Sequence, residues 1–308
     1  MINSAPLISV VLPVYNSENF IRDSVNSILE QSYKNIELII INDGSTDSTF
    51  DIIKSFSDER IRIISRENKG LIFSLNEGIS LAKGRFIARM DADDISEPDR
   101  IERQVKFLEK NKDINIVGAS VYLIDVLGEK IGDLDYHLSP FWVKLRLLFD
   151  SCICHPSILA RRDVFDEVRY DEDYQYAEDF KLWSEVVFNK NLNIQSLKNK
   201  CLQYRVHGNS ISASKHENQL KISNKIIREN FASLNVKISS DLVRDAQLSY
   251  KMLKPMPLIR WALFVVSLIR QASLSNFKYI FFYILIITKC NIKGWFNAQV
   301  RSRHINFK

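Results

Sequence analysis

Through the first 125 residues, short β-branched runs alternate with stretches patterned as helices, and this alternation restricts the possible folds more than any other feature. Parallel strands need a crossover between them, so the pattern predicts a parallel sheet covered by helices. The strand-like runs are Ile8 to Val14, Glu37 to Asn42, Arg60 to Ser65, Arg85 to Met90 and Asn115 to Ile124. The first two are almost solidly apolar, as strands buried on both faces should be. Helices are expected near Ser17 to Gln31, Ser48 to Phe56, Gly70 to Ala82 and Glu97 to Asn111.

Farther along, His155 to Arg161 reads as a strand, Asp179 to Asn189 as a helix, and Asn193 to His207 as two short strands. A helical pattern begins near Lys215, which suggests a sheet domain over residues 1–215 and a mostly helical region over 216–308. Charge divides the chain in a similar way. Residues 251–308 hold ten Lys or Arg and no acid, whereas residues 1–250 hold 32 basic and 37 acidic side chains. The two parts should therefore meet different partners. Cys152, Cys154, Cys201 and Cys290 are too few for a disulfide scaffold, and the N-terminus lacks the basic start and apolar run of a signal peptide, so a reducing cytosol is the simplest expectation. Cys152, Cys154 and His155 have no second pair at zinc spacing and read as buried groups.

Ligands of open parallel sheets bind beyond the carboxyl ends of the strands. There the chain carries Pro13-Val14-Tyr15-Asn16, then Asn42-Asp43-Gly44-Ser45-Thr46-Asp47, then Met90-Asp91-Ala92-Asp93-Asp94. Three carboxylates crowded into Asp91-Ala92-Asp93-Asp94 repel one another, and a bound divalent cation would relieve that repulsion; hard oxygen donors suit Mn2+ or Mg2+. The simpler reading is a helix start, with Asp94 or Ser96 as cap, but capping needs only one acid. Asp43 admits a turn-and-cap reading as well as acceptance of hydrogen bonds from a ribose or base. No glycine-rich dinucleotide fingerprint and no P-loop is present, which argues against nicotinamide dehydrogenases and P-loop NTPases.

From Ser9 to about Ser212 the chain resembles the family 2 glycosyltransferases, inverting enzymes of the GT-A fold. The resemblance lies in motifs that occur in order. Pro13, Val14, Tyr15, Asn16 and Glu18 are similar to the family's opening strand and base-binding loop, and Asp43 to its second nucleotide segment. Gly70 and Asn76 match the stretch that follows. Asp91, Ala92 and Asp93 resemble the D-x-D element, in which Asp93 would touch a metal bridging the donor phosphates. Glu178 and Asp179, with Leu182 and Trp183, resemble the acceptor-side pair whose Asp is the usual catalytic base. Tyr204 to Ser210, including His207, looks like a segment closing over phosphates or metal; His155 has a weaker case for a role. Leu75 stands where many members carry Arg, and the Q-x-x-R-W element of polysaccharide synthases is missing.

The resemblance implies an α/β, Rossmann-like GT-A domain with a mostly parallel sheet and a helical C-terminal extension. Its activity would be metal-dependent, inverting, non-processive transfer from a UDP-sugar or similar nucleotide sugar to a glycan or lipid-linked acceptor in cell-envelope biosynthesis. A sugar-phosphate nucleotidyltransferase or a non-catalytic nucleotide-sugar binder are the alternatives. The first should show a basic glycine-rich loop where Tyr15-Asn16-Ser17-Glu18 stands, and the second has no need of the Glu178-Asp179 pair. No nucleic acid partner is expected. Leu258 to Ile269 and Tyr279 to Ile287 are apolar but too short to span a bilayer. With Trp261, Phe264, Phe281, Phe282, Trp295 and Phe296 among ten cations, they suit a helix lying on an anionic membrane surface, at the cytoplasmic inner face of the cell membrane. The alternative is a helical subdomain.

Overall fold

The structure, a computed structural model, describes residues 5–207, 216–250 and 256–290. Gly208 to Ser210, Trp295 and Phe296 lie outside the described residues. Two compact units form, one from Met1–Pro140 with Cys152–His216 and the other from Phe141–Ser151 with Glu217–Lys308. A single boundary near residue 215 does not describe the second unit, because residues 141–151 belong to it.

The first unit is built on strands β1 (Ile8–Val14), β2 (Ile36–Asp43), β3 (Ile61–Arg66), β4 (Phe86–Arg89), β5 (Ile95–Ser96), β6 (Ile116–Ile124), β7 (Lys130–Leu134), β8 (Leu159–Arg161) and β9 (Ile194–Arg205). The sheet runs β3-β2-β1-β4-β8-β6-β9-β5, with β7 paired to β6. β1 to β4 pair in parallel, as their crossovers require, while β8 enters antiparallel between β4 and β6 and makes the sheet mixed. Every residue of β1 is buried, so the solid apolar run reflects a strand covered on both sides.

The helices between them are α1 (Ile21–Leu29), α2 (Thr49–Lys54), α3 (Leu71–Leu81) and α4 (Arg100–Lys110). A Cβ on Gly78 of α3 would come within 2.5 Å of Val11 Cγ1, so glycine lets this helix lie flat on the sheet. β5, β7 and α5 (Pro140–Arg146) lack a clear period and were not anticipated from sequence. Two further short helices of the first unit are α6 (Val164–Glu167) and α7 (Glu178–Ser184).

Three expectations change. His155–Ser157 is a 3-10 turn, and only Leu159–Arg161 is extended. The helix at Glu178 widens into a π turn over Glu185–Asn189. The two strands expected between Asn193 and His207 are a single strand, β9, whose pairing with β6 shifts register near Ala119 and Ser120; the break in apolar pattern at Lys198-Asn199-Lys200 marks that irregularity, not a turn.

The second unit contains α5, α8 (His216–Ser233), α9 (Ser240–Tyr250), α10 (Leu258–Gln271) and a helix over residues 277–290, α11. Its centre is aromatic: the Phe149 ring stacks on Tyr250 and Tyr283 at 4.5 and 4.4 Å, and Phe231 and Phe264 meet Tyr283 edge-on. Asn230 Nδ2 donates to the Leu147 carbonyl at 2.7 Å, tying the 141–151 segment into this core. No helix among the described residues is long and apolar enough to cross a membrane.

Candidate functional site

The loops after β1 and β2 are joined by side chain to backbone hydrogen bonds. Asn16, at φ +45°, donates its N–H to Ser45 Oγ at 3.1 Å, and its Oδ1 accepts from Thr46 N at 2.8 Å. Glu18 Oε2 accepts from Ser48 N at 2.9 Å, and Glu18 N donates to Asp47 Oδ2 at 3.2 Å. Asn16 and Glu18 thus fix the loop, while Tyr15 beside them is exposed and Pro13 and Val14 are buried. Gly44, at φ +73°, makes the turn possible: a Cβ there would sit 2.7 Å from Asn68 N.

Asp43 is buried at the end of β2 and accepts from Lys69 N at 2.8 Å, Gly70 N at 2.9 Å and the Arg66 guanidinium. It therefore positions Gly70, the residue that opens α3. Asn76 spends both ends of its amide on the Tyr170 backbone, donating to the carbonyl at 2.9 Å and accepting from the N–H at 3.1 Å.

β4 delivers the acidic cluster. Arg100, fully buried on α4, donates to the Arg89 and Ile158 carbonyls and fixes the strand end, while Ser24 Oγ donates to the Asp91 carbonyl at 2.9 Å. Buried Arg89 holds the Asp91 carboxylate with two nitrogens, at 2.8 and 2.5 Å. Asp93 Oδ2 meets His207 Nε2 at 2.8 Å, and the Asp93 carbonyl accepts from Arg205 Nε. Asp94 Oδ1 accepts from Arg205 N at 2.9 Å; its Oδ2 is buried with no hydrogen-bond partner among the described residues. Phe20 stacks on His207 and lies under the Arg205 guanidinium. Ala92 is buried between the acids.

One oxygen from each of Asp91, Asp93 and Asp94 lies within 4.8 Å of the others. Burial pushes the Asp94 carboxyl well up, and Asp91 and Asp93 add to it. Burial likewise raises Asp91, against the opposing pull of Arg89. Three crowded carboxylates with an orphaned buried oxygen fit a small divalent cation, so the residues present suit Mg2+ or Mn2+.

Glu178 and Asp179 open α7, both half-buried. Burial and the neighbouring Asp179 push the Glu178 carboxyl up to about 7. Burial alone would lower Arg89, but the fields of Asp91, Tyr170, Asp94 and Glu178 outweigh it and raise its pKa. This arginine is bonded to Asp91 and also feels the field of Glu178. His155 Nε2 is 2.6 Å from Tyr170 Oη, and its ring lies edge-on to Trp183. Burial and then Arg89 push its pKa well down, so it is neutral at physiological pH.

Sequence reasoning missed Arg89, Tyr170, Arg100 and Phe20. Arg89 had a usable signal, as a charge inside the apolar run Phe86-Ile87-Ala88 directly before the acids. Tyr170 had none, because it comes from a loop 79 residues away from Asp91.

A mixed sheet with helices on it, carrying an acidic cluster at the end of β4 and an acid pair on α7, defines a GT-A-fold glycosyltransferase. The family model Glycosyl transferase family 2 matches residues 9–169, more than half the chain, and the chain belongs to that family. It is 37% identical over 254 residues to an uncharacterised glycosyltransferase of Haemophilus influenzae, covering 78% of this chain and 77% of that one. It is 34% identical over 216 residues to the O-antigen biosynthesis glycosyltransferase WbnJ of Escherichia coli, covering 68% and 83%. Among solved structures, the mannosyltransferase PcManGT of Pyrobaculum calidifontis, in complex with GDP-Man and Mn2+, superposes with a TM-score of 0.57 at 14% identity, covering 94% of this chain and 88% of that one.

Proposed function

We propose that the chain moves a sugar from a nucleoside diphosphate sugar to an acceptor hydroxyl with inversion, assisted by Mg2+ or Mn2+. The observation that carries this reading is the crowding of the Asp91, Asp93 and Asp94 carboxylates at the end of β4, with one Asp94 oxygen buried and without a hydrogen-bond partner among the described residues. Asp91, Asp93 and Asp94, with His207 beside Asp93, would hold the ion, which would supply positive charge against the departing diphosphate. PcManGT, which shares the fold and was solved with Mn2+, supports a divalent cation in this reading.

Asp179 acts as the base, taking the hydroxyl proton as the acceptor oxygen attacks the anomeric carbon and the bond to the diphosphate breaks. General base catalysis of this kind contributes roughly 10²- to 10⁴-fold. Glu178, whose carboxyl is pushed up to about 7 by burial and the neighbouring Asp179, is the reserve candidate for this role. Asn16, Glu18, Asp43 and Asn76 contribute by holding fixed the loops that face the nucleotide, with Tyr15 and Gly70 at the loop surface. The O-antigen relative supports a glycan or lipid-linked acceptor in envelope biosynthesis. The basic C-terminal stretch supports work at the cytoplasmic face of an anionic membrane.

The test is a panel of nucleoside diphosphate sugars with Mn2+, reading free nucleoside diphosphate and the anomeric configuration of the product. Product with retained configuration overturns the inverting mechanism, and undiminished turnover in EDTA overturns the metal.

A further inference from the structure

Single exposed leucines are ordinary on protein surfaces, but a contiguous set on two adjoining helices marks a contact site. On α10, Ile259 (76% exposed), Leu263 (67%), Val266 and Ile269 follow one another at spacings of three and four, while Phe264 and Leu268 on the other face are buried. On α11, Phe277, Phe281 and Leu285 lie four apart and exposed, while Ile280, Tyr283 and Ile287 are buried. Leu274, in the turn between the helices, is 100% exposed. The inner faces meet through Phe264 and Tyr283, so the outer stripes are surplus to the unit's own core.

The charges carried by these two helices have one sign, and of them Arg260 is paired with Asp245 of α9. Arg270, Lys278 and Lys289 are exposed along the same two helices, and no acid occurs from residue 251 to the end of the chain. A second copy of this surface would bring like charges together, whereas an anionic bilayer offers opposite charge and an apolar layer beneath it. Neither helix can span that bilayer.

We infer that the outer faces of α10 and α11, with Leu274 between them, insert in the plane of an anionic leaflet as the membrane-binding surface. The inference rests on the membrane reading above and names the side chains that enter the lipid. Leu263 and Phe281 sit among the acyl chains, and Arg270, Lys278 and Lys289 remain at the headgroups with their stems along the apolar surface.

The test uses the full chain with an environment-sensitive dye on Leu263→Cys, Phe281→Cys or, as control, Lys110→Cys on α4. Native Cys152, Cys154, Cys201 and Cys290 are buried, so labelling is selective. With vesicles of equal parts phosphatidylglycerol and phosphatidylcholine, the dye should shift to the blue at 263 and 281 and stay unchanged at 110. Pure phosphatidylcholine should bind less. Leu263→Asp should lower vesicle partitioning roughly tenfold or more without moving the melting temperature. If the chain floats with vesicles but neither probe shifts, the inserted face is wrong while the membrane reading stands. If the chain does not float at all, the membrane reading falls and the inference with it. A blue shift without lipid, rising with protein concentration, would instead make this face a contact between copies. A lipid-independent shift lost on deleting residues 291–308 would make it the seat of the chain's own tail. Either outcome overturns the inference.

Discussion

At the carboxyl edge of the first unit's sheet, Asp43 accepts from three donors, Asn76 uses both ends of its amide and Asp91 is held by two guanidinium nitrogens. On α10 and α11 of the second unit, Ile259, Leu263, Leu274 and Phe281 face solvent. The first region has its polar groups tied in place before any ligand arrives, which lowers the reorganisation needed when charge develops in the transition state. The second keeps apolar area in water among the described residues, a cost that a covering surface would relieve. A fixed polar edge is what chemistry requires; an uncovered apolar face is what attachment requires.

The comparison can be broken most sharply at Asp93. Asp93→Ala removes a proposed oxygen ligand and the partner of His207, and should reduce Mn2+-dependent transfer by roughly 10²- to 10⁴-fold, with weaker donor binding in titrations containing Mn2+. Near-normal metal-dependent turnover in this variant would show that the ordered acidic edge is structural.

Asp179→Asn keeps the size of the side chain and removes the proton acceptor. Turnover should fall about 10²- to 10⁴-fold while donor affinity survives. An active Asp179→Asn with a dead Glu178→Gln would exchange the two roles. Glu178 also makes a stability prediction. Its folded pKa is raised from 4.5 to about 7, so the folded state binds this proton more tightly than the unfolded state. The associated stability is complete below pH 4.5 and lost as pH rises through about 7. Melting curves without metal should therefore show wild type losing ground to Glu178→Gln between pH 5 and 8, and parallel pH profiles would refute it.

Within the second unit, Phe264→Ala should cost about 3–5 kcal/mol by opening the aromatic core, whereas Leu263→Ala next to it should change stability by less than about 0.5 kcal/mol. Chemical denaturation of both variants reads the difference directly. Equal losses would mean that Leu263 is packed in solution and the outer face is not free.

The smallest effect on donor binding is expected at Asn76. Asn76→Ala leaves the Tyr170 N–H and carbonyl without their partner and should cost about 1–3 kcal/mol of stability, with donor KM changing little. A large rise in donor KM at unchanged melting temperature would restore Asn76 as a direct ligand contact.

The sequence by itself determined the elements with a strong period and the residues that follow them. β1 and β2 declare themselves because strands buried on both faces have to be continuously apolar, and their polar ends then mark the edge where Asp43 and the Asp91–Asp94 acids sit. The ordered motifs were likewise enough to reveal the family. Only the tertiary structure decided which of those polar residues are spent inside the protein. Asn76 and Tyr170 stand 94 positions apart, and Arg205 reaches back 111 to Asp94, distances over which composition and periodicity carry no signal. The same holds for residues 141–151, whose place in the helical unit depends on Phe149 stacking against Tyr250 and Tyr283. Local pattern records which face of an element is apolar. The partner it meets is set by chain closure, and it becomes visible only when distant segments share one core.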